Sequence, residues 1–198
     1  MTMSELAKLY EEMKGCQACR LRKTCRQVVT AVGNVENPAL MIIGESPGES
    51  EDIAGEPFVG QAGQVLRAVL RETNIINRDN TLISNVIRCR PPANKFPTDE
   101  CPSICVSRWL RREIGLAKPK RMLLMGNTPL EFVAGLTGIT SARGKWLSVM
   151  GIRTMSTFHP SYILRKDREG DRGERARFEQ DINEVAAEIK TQSPETTK

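Results

Sequence analysis

Ala39–Ile43 is a short run of apolar residues that breaks at Gly44 into a stretch with almost nothing to bury: Glu45-Ser-Pro-Gly48, Glu51, Asp52, Gly55, Pro57 and Gly60. An unbroken apolar run of this length reads as a central parallel strand covered on both faces. Five of the chain's 15 glycines fall between Gly44 and Gly63. Val65, Leu66, Val69 and Leu70 then mark one stripe of a helix over 61–73. A strand opening into a glycine-rich acidic loop and then a helix is a unit of an open α/β sheet. The loop at the carboxyl end of such a strand is where these sheets place their sites.

The alternation continues along the chain. Thr81–Ile87, Arg121–Met125 and Gly151–Thr157 read as three further strands. Helices are expected over 3–14, stopped by Gly15; from an N-cap at Thr98 to Glu113 or Ile114, before Gly115; over Thr128–Ala134, with Asn127 as a cap; and over 174–190. Four strands among helices predict a three-layer α/β/α sandwich around a four-stranded, mainly parallel sheet, in one domain over 1–190, with a disordered tail over 191–198. Glu45, Asn85 and His159 each stand at or just beyond the carboxyl end of an expected strand, so a parallel sheet would bring all three to one edge.

No stretch approaches a membrane span, and the start of the chain lacks a basic region followed by an apolar core, so the expected location is the cytoplasm. The formal charge of +5 favours a polyanionic partner mildly. Six cysteines in such a chain point to a metal or to reactive thiols rather than disulfides. Cys16-Gln-Ala-Cys19 follows a helix and lies outside any thioredoxin-like βαβ unit, which reads as a metal hook.

Three blocks in order carry a resemblance. Gly44-Glu-Ser-Pro-Gly48 with Glu51-Asp52, Pro57-Phe-Val-Gly60 and Ala62-Gly63 resembles the first active-site motif of the family-4 uracil-DNA glycosylases, the iron–sulfur members of their superfamily. Ser84-Asn-Val-Ile-Arg-Cys-Arg-Pro-Pro92 is similar to the family's central segment, and His159-Pro-Ser-Tyr-Ile-Leu-Arg165 to its second motif. Ser46 stands where alanine is common, and Cys25 and Cys101 are extra to the family's four-cysteine pattern. A DNA-crosslinking relative uses a histidine from a basic insertion; here His159 is the one histidine, so ordinary hydrolysis is expected.

The resemblance implies removal of uracil from DNA by hydrolysis of its N-glycosidic bond, leaving an abasic site for base-excision repair. It implies uracil contacts from Gly44, Glu51, Phe58, Asn85 and His159, with Phe58 stacking on the base or anchoring the loop. Glu45 and His159 are the implied catalytic pair, Glu45 either serving a water or the sugar cation or orienting the loop. Ser161, Tyr162, Leu164 and Arg165 are implied DNA contacts, Tyr162–Leu164 as a wedge. Cys16, Cys19, Cys89 and Cys105 match the family's spacing, which implies a [4Fe–4S] cluster; four cysteines alone would equally suit zinc. Cys101 shares a helical face with Cys105 and could substitute for it or sit nearby as a free thiol, while Cys25 is expected to be a plain buried or free cysteine. Arg20, Arg22, Arg88 and Arg90 flank the ligand positions and could form a phosphate patch. The expected partner is uracil-containing DNA, without a membrane, and the expected state is a monomer. No lysine stands out as a Schiff-base nucleophile, so strand cleavage is not expected. The reading from another class is a non-catalytic uracil- or DNA-binding module of the same fold.

Overall fold

A computed structural model describes residues 4–191. Residues 192–198 of the expected tail lie outside the described residues, and Thr191, assigned to that tail, is the last residue of a helix.

Six strands form one sheet: β1 (Val32–Gly33), β2 (Leu40–Gly44), β3 (Thr81–Asn85), β4 (Arg121–Met125), β5 (Trp146–Val149) and β6 (Ile152–Thr157), in the order β1-β3-β2-β4-β6-β5. The four anticipated strands are its parallel centre, while β1 and β5 join the two edges antiparallel. The expected count of four is therefore corrected to six. β1 has two residues and β5 is only half-buried, so neither carries the apolar run that reveals a central strand. Met150 and Gly151, with φ of 54° and 75°, turn β5 tightly into β6.

Side chains of β2 alternate between two cores. Met41 and Ile43 pack with Leu6, Leu9 and Met13 of α1 (Glu5–Lys14) and with Ile114 and Ala117 of α5 (Arg111–Ala117). Leu40 and Ile42 pack with α3 (Gln61–Glu72), with Ile163 of α8 (Pro160–Arg168), and with Phe178, Ile182 and Val185 of α9 (Gly173–Thr191). Both faces of the sheet are thus covered, giving the three layers.

Two local differences bear on function. The loop after β2 contains a short helix, α2 (Glu49–Ala54), which an acidic sequence with Ile53 exposed does not announce. Buried Asp52 ties it down by accepting the N–H groups of Arg26 (3.0 and 3.1 Å) and Gln27 (3.4 Å). The helix expected from Thr98 begins instead at α4 (Cys101–Cys105), continues through a π turn (Val106–Leu110) into α5, and passes Gly115 to end at Lys118, where φ is 48°. A side chain at Gly115 would meet nothing, so that glycine imposes no stop.

Candidate active site

The sheet's register builds the site. Gly44 pairs with Asn85, and the parallel ladder runs past the strand ends as Val86 and Ile87 donate to the carbonyls of Gly44 (2.9 Å) and Glu45 (3.2 Å). On the other side Met125 pairs with Thr157, two residues before His159. Glu45, Glu51, Phe58, Asn85, His159 and Ser161 consequently line one open cleft of about 490 Å³, a size that suits a small organic group.

Phe58 is held from three sides. It is 6% exposed, packs in the core with Leu66 and Val69, and adopts a φ of 56° that is rare for a bulky residue. A Cβ on Gly63 would overlap the Phe58 backbone, and one on Gly44 would overlap both the Phe58 ring and Asn85 Oδ1. These two glycines let α3 and β2 close onto Phe58. Its ring lies 6.0 Å from that of His159, tilted by 34°. Phe58 therefore anchors the loop and also presents a ring to the cleft. Gly44 acts by giving room to Phe58 and Asn85.

The loop's carboxylates divide their work. Glu51 accepts the N–H of Gly48 (3.1 Å) with one oxygen and that of Gly60 (2.8 Å) with the other. It ties the N-cap of α2 to Gly60, the N-cap of α3, and its bond to Gly48 is that of the third-position partner of a capping box. The direct uracil contact assigned to Glu51 competes with those two bonds. Glu45 makes a different contact: the hydroxyl of Thr128 donates to its Oε2 at 2.5 Å. Thr128, in α6 (Asn127–Ala134), was not singled out in the sequence. Its one signal is that it follows Gly126 just past the carboxyl end of a central strand.

His159 caps α8. Its Nδ1 accepts the backbone N–H of Ser161 (3.2 Å) and lies 2.7 Å from Ser161 Oγ. A backbone N–H can only donate, so the proton of the neutral ring sits on Nε2. Part of the residue remains accessible, yet burial of the ring pushes its pKa down to about 4, against the opposing pull of Glu51. The strand leading to it is anchored by buried Asp181, which accepts from Thr157 Oγ1 (2.6 Å) and Arg143 Nε (2.9 Å).

The segment after His159 is helix α8 rather than a free wedge. Ile163 is fully buried in the core, which removes it from any DNA contact. Tyr162 is half-buried with its ring 5.0 Å from Phe158, and the exposed Arg165 stacks its guanidinium 5.3 Å from the Tyr162 ring. Leu164 is half-buried, and Ser161 stands exposed at the cleft.

On the α1 and α5 side, Cys16, Cys19, Cys89 and Cys105 line a small cavity walled by Leu21, Val28, Ile87, Ile104 and Trp109. Trp109 Nε1–H and the Ala18 N–H point at Cys16 Sγ, at 3.3 and 3.5 Å. Burial pushes the Cys105 thiol up to about 11, with Arg88 pulling the other way, and raises Cys89 as well. Cys25 lies beside Cys89 and Cys101 beside Cys19, with Cys101 held up to about 12 chiefly by burial. Among the described residues no three His, Cys, Asp or Glu side chains gather closely enough to hold a single metal ion. All six cysteines are unpaired.

Arg88 corrects the expected phosphate patch. It is 2% exposed and bonds Glu113 (2.6 Å) and Ser84 inside the core, out of reach of DNA. Arg20 pairs with Asp99 (2.5 Å) and Arg90 with Glu49 (3.3 Å), so both of these charges already have a carboxylate partner.

A family model described as the uracil DNA glycosylase superfamily matches residues 30–187. The chain is 39% identical over 170 residues to a type-4 uracil-DNA glycosylase of Thermotoga maritima, covering 83% of this chain and 86% of that protein. It is 35% identical over 171 residues to a type-4 uracil-DNA glycosylase of Pyrobaculum aerophilum, covering 82% and 86%. A third, from Archaeoglobus fulgidus, is 33% identical over 171 residues, covering 82% and 84%.

Proposed function

Because the chain belongs to the uracil-DNA glycosylase superfamily, we infer that it removes uracil from DNA by hydrolysing the N-glycosidic bond. It is a hydrolytic DNA glycosylase of repair, and uracil-containing DNA is its partner. The observation that carries the mechanism is the meeting of Glu45, Phe58, Asn85 and His159 in one cleft.

The glycosidic bond is inaccessible inside a base stack, so the nucleotide rotates out into the cleft. Phe58 stacks on the extruded ring, a contact worth ~1–3 kcal/mol. The Asn85 amide donates to uracil O4 and accepts from N3–H, a pattern cytosine presents in reverse. As the N1–C1′ bond breaks, its electron pair passes to the uracil ring and collects at O2, where the neutral His159 donates from Nε2–H. Such a donor contributes ~3–4 kcal/mol to the transition state. A water adds its oxygen to C1′ and gives up a proton toward Glu45, and the departing uracil anion is later protonated at N1. Ser161, Tyr162, Leu164 and Arg165 face the flanking DNA, Ser161 also fixing the His159 tautomer.

The cysteine cavity has an all-sulfur donor set, N–H groups directed at one sulfur and walls that are apolar apart from the cations Arg22 and Arg88, which suit a thiolate-ligated group. We assign Cys16, Cys19, Cys89 and Cys105 as ligands of a [4Fe–4S] cluster. Bound there, it supplies a cross-link between residues 16–19 and the segments carrying Cys89 and Cys105, and hydrolysis needs no electron from it. The purified protein should absorb broadly near 400 nm and contain about four iron atoms per chain. Zinc in place of iron, by elemental analysis, would overturn the cluster and leave the glycosylase reading intact. Among the described residues no helix is long and apolar enough to cross a membrane. We take the setting to be the cytoplasm and the working state to be a monomer.

The direct test is a labelled oligonucleotide with one uracil, incubated with the protein and then treated with alkali. Cleavage at uracil is expected only after alkali, and Asn85→Ala should lower kcat/KM by at least about tenfold. DNA binding without any alkali-sensitive site would instead identify a non-catalytic binding module.

A further inference from the structure

We propose that Thr128 is a positioning residue for Glu45, tying down one carboxylate oxygen so that the other faces the reacting centre; this rests on the reading of the cleft as a uracil site. Thr128 Oγ1 donates to Glu45 Oε2 at 2.5 Å across 83 residues of sequence. Glu51 shows the contrast, since both its oxygens are engaged by backbone N–H groups of the loop. The task of orienting the loop thus already has an owner, and Glu45 is left with one oxygen bound by a side chain from another strand end.

The backbone explains how Thr128 arrives there. Gly126 leaves β4 with φ of 96°, where a non-glycine residue would be strained, and a Cβ on it would come within 3.1 Å of His159 Cβ. Its N–H donates to the Thr157 carbonyl at 2.8 Å, which locks the exit of β4 to the strand that carries His159. Thr128 is then the second residue of α6, so its hydroxyl reaches the Glu45 carboxylate from the first turn of that helix. Through Gly126 and Thr128, β4 sets the separation between Glu45 and His159. A carboxylate fixed at one oxygen presents the other with little rotational freedom, which is what holding a water near C1′ requires.

The test compares Thr128→Val, which keeps the shape and removes the donor, with Thr128→Ser, which keeps the donor, in single-turnover and steady-state excision from a uracil oligonucleotide. Thr128→Val should lower kcat by about 10- to 100-fold with KM within about threefold of the parent, and Thr128→Ser should recover most of the loss. In a Glu45→Gln background, Thr128→Val should add little further loss, because the two residues act as a unit. Equal losses for the Val and Ser variants, full additivity with Glu45→Gln, or no loss at all would each overturn the proposal. Thermal melts verify that the variants are folded, and Thr128→Ala replaces the valine variant if that one melts below the assay temperature. A parent protein that excises no uracil sinks the functional reading. An active parent with an unaffected Thr128→Val sinks only the role of Thr128.

Discussion

His159→Ala should lower single-turnover excision by about 10²- to 10³-fold while leaving affinity for uracil-containing DNA nearly unchanged. The charge that His159 meets exists only as the glycosidic bond breaks, so its contribution belongs to the transition state and not to binding. The geometry also fixes the form in which it acts. Nδ1 is occupied as an acceptor by the Ser161 N–H, and burial holds the pKa near 4, so the ring is neutral with its proton on Nε2 across the physiological range. The rate should therefore show no inflection near pH 6.5 from this residue. The sign for stability follows from the same shift: between pH 6.5 and about 4 the unfolded chain takes up a proton that the folded one refuses, so stability falls as pH falls through that window. Excision by the alanine variant within about threefold of the parent, or a parental rate that halves with an apparent pKa near 6.5, would contradict this account.

The second large effect concerns the buried pair of Arg88 and Glu113. Their side chains are 2% and 0% exposed with 2.6 Å between Nη2 and Oε2. Glu113→Leu should cost about 3–5 kcal/mol, because it strands a guanidinium charge in the core. Arg88 Nε and Glu113 Oε1 have no partner, so the pair is incompletely satisfied. The double change Arg88→Met with Glu113→Leu should accordingly recover most of the loss. Urea denaturation of the purified protein measures both variants. An unchanged midpoint in Glu113→Leu, or a double variant less stable than the single one, would count against it. Glu113 comes from the helix that carries Cys105 into α5, and Ser84 and Arg88 bracket Asn85. The pair thus joins the helix beside the cysteine cavity to the strand end that presents Asn85.

Several features were legible because they depend on local chemistry. The apolar runs of β2 and β4 revealed their strands because a strand buried on both faces cannot alternate with polar residues. The stripe of Leu66, Val69 and Leu70 revealed α3 for the corresponding reason. β1 and β5 were missed because edge strands are short and half-wet, and α2 because its stability comes from Asp52 reaching Arg26 and Gln27 rather than from its own residues. Arg88 was misplaced because an arginine beside a ligand cysteine looks the same in sequence whether it faces DNA or a buried glutamate.

By itself, the sequence determined the four central strands, and with them the meeting of Glu45, Asn85 and His159 at one sheet edge, since parallel strands must share the direction of their carboxyl ends. Only the tertiary structure decided what each side chain does on arrival. It divided two neighbouring carboxylates, giving Glu51 to the loop's backbone and Glu45 to Thr128; it set the tautomer of His159 through Ser161; and it buried Arg88 and Ile163. Those outcomes rest on hydrogen bonds and exclusion of water between residues far apart in the chain, and no local pattern encodes which partner a polar side chain will find across a sheet.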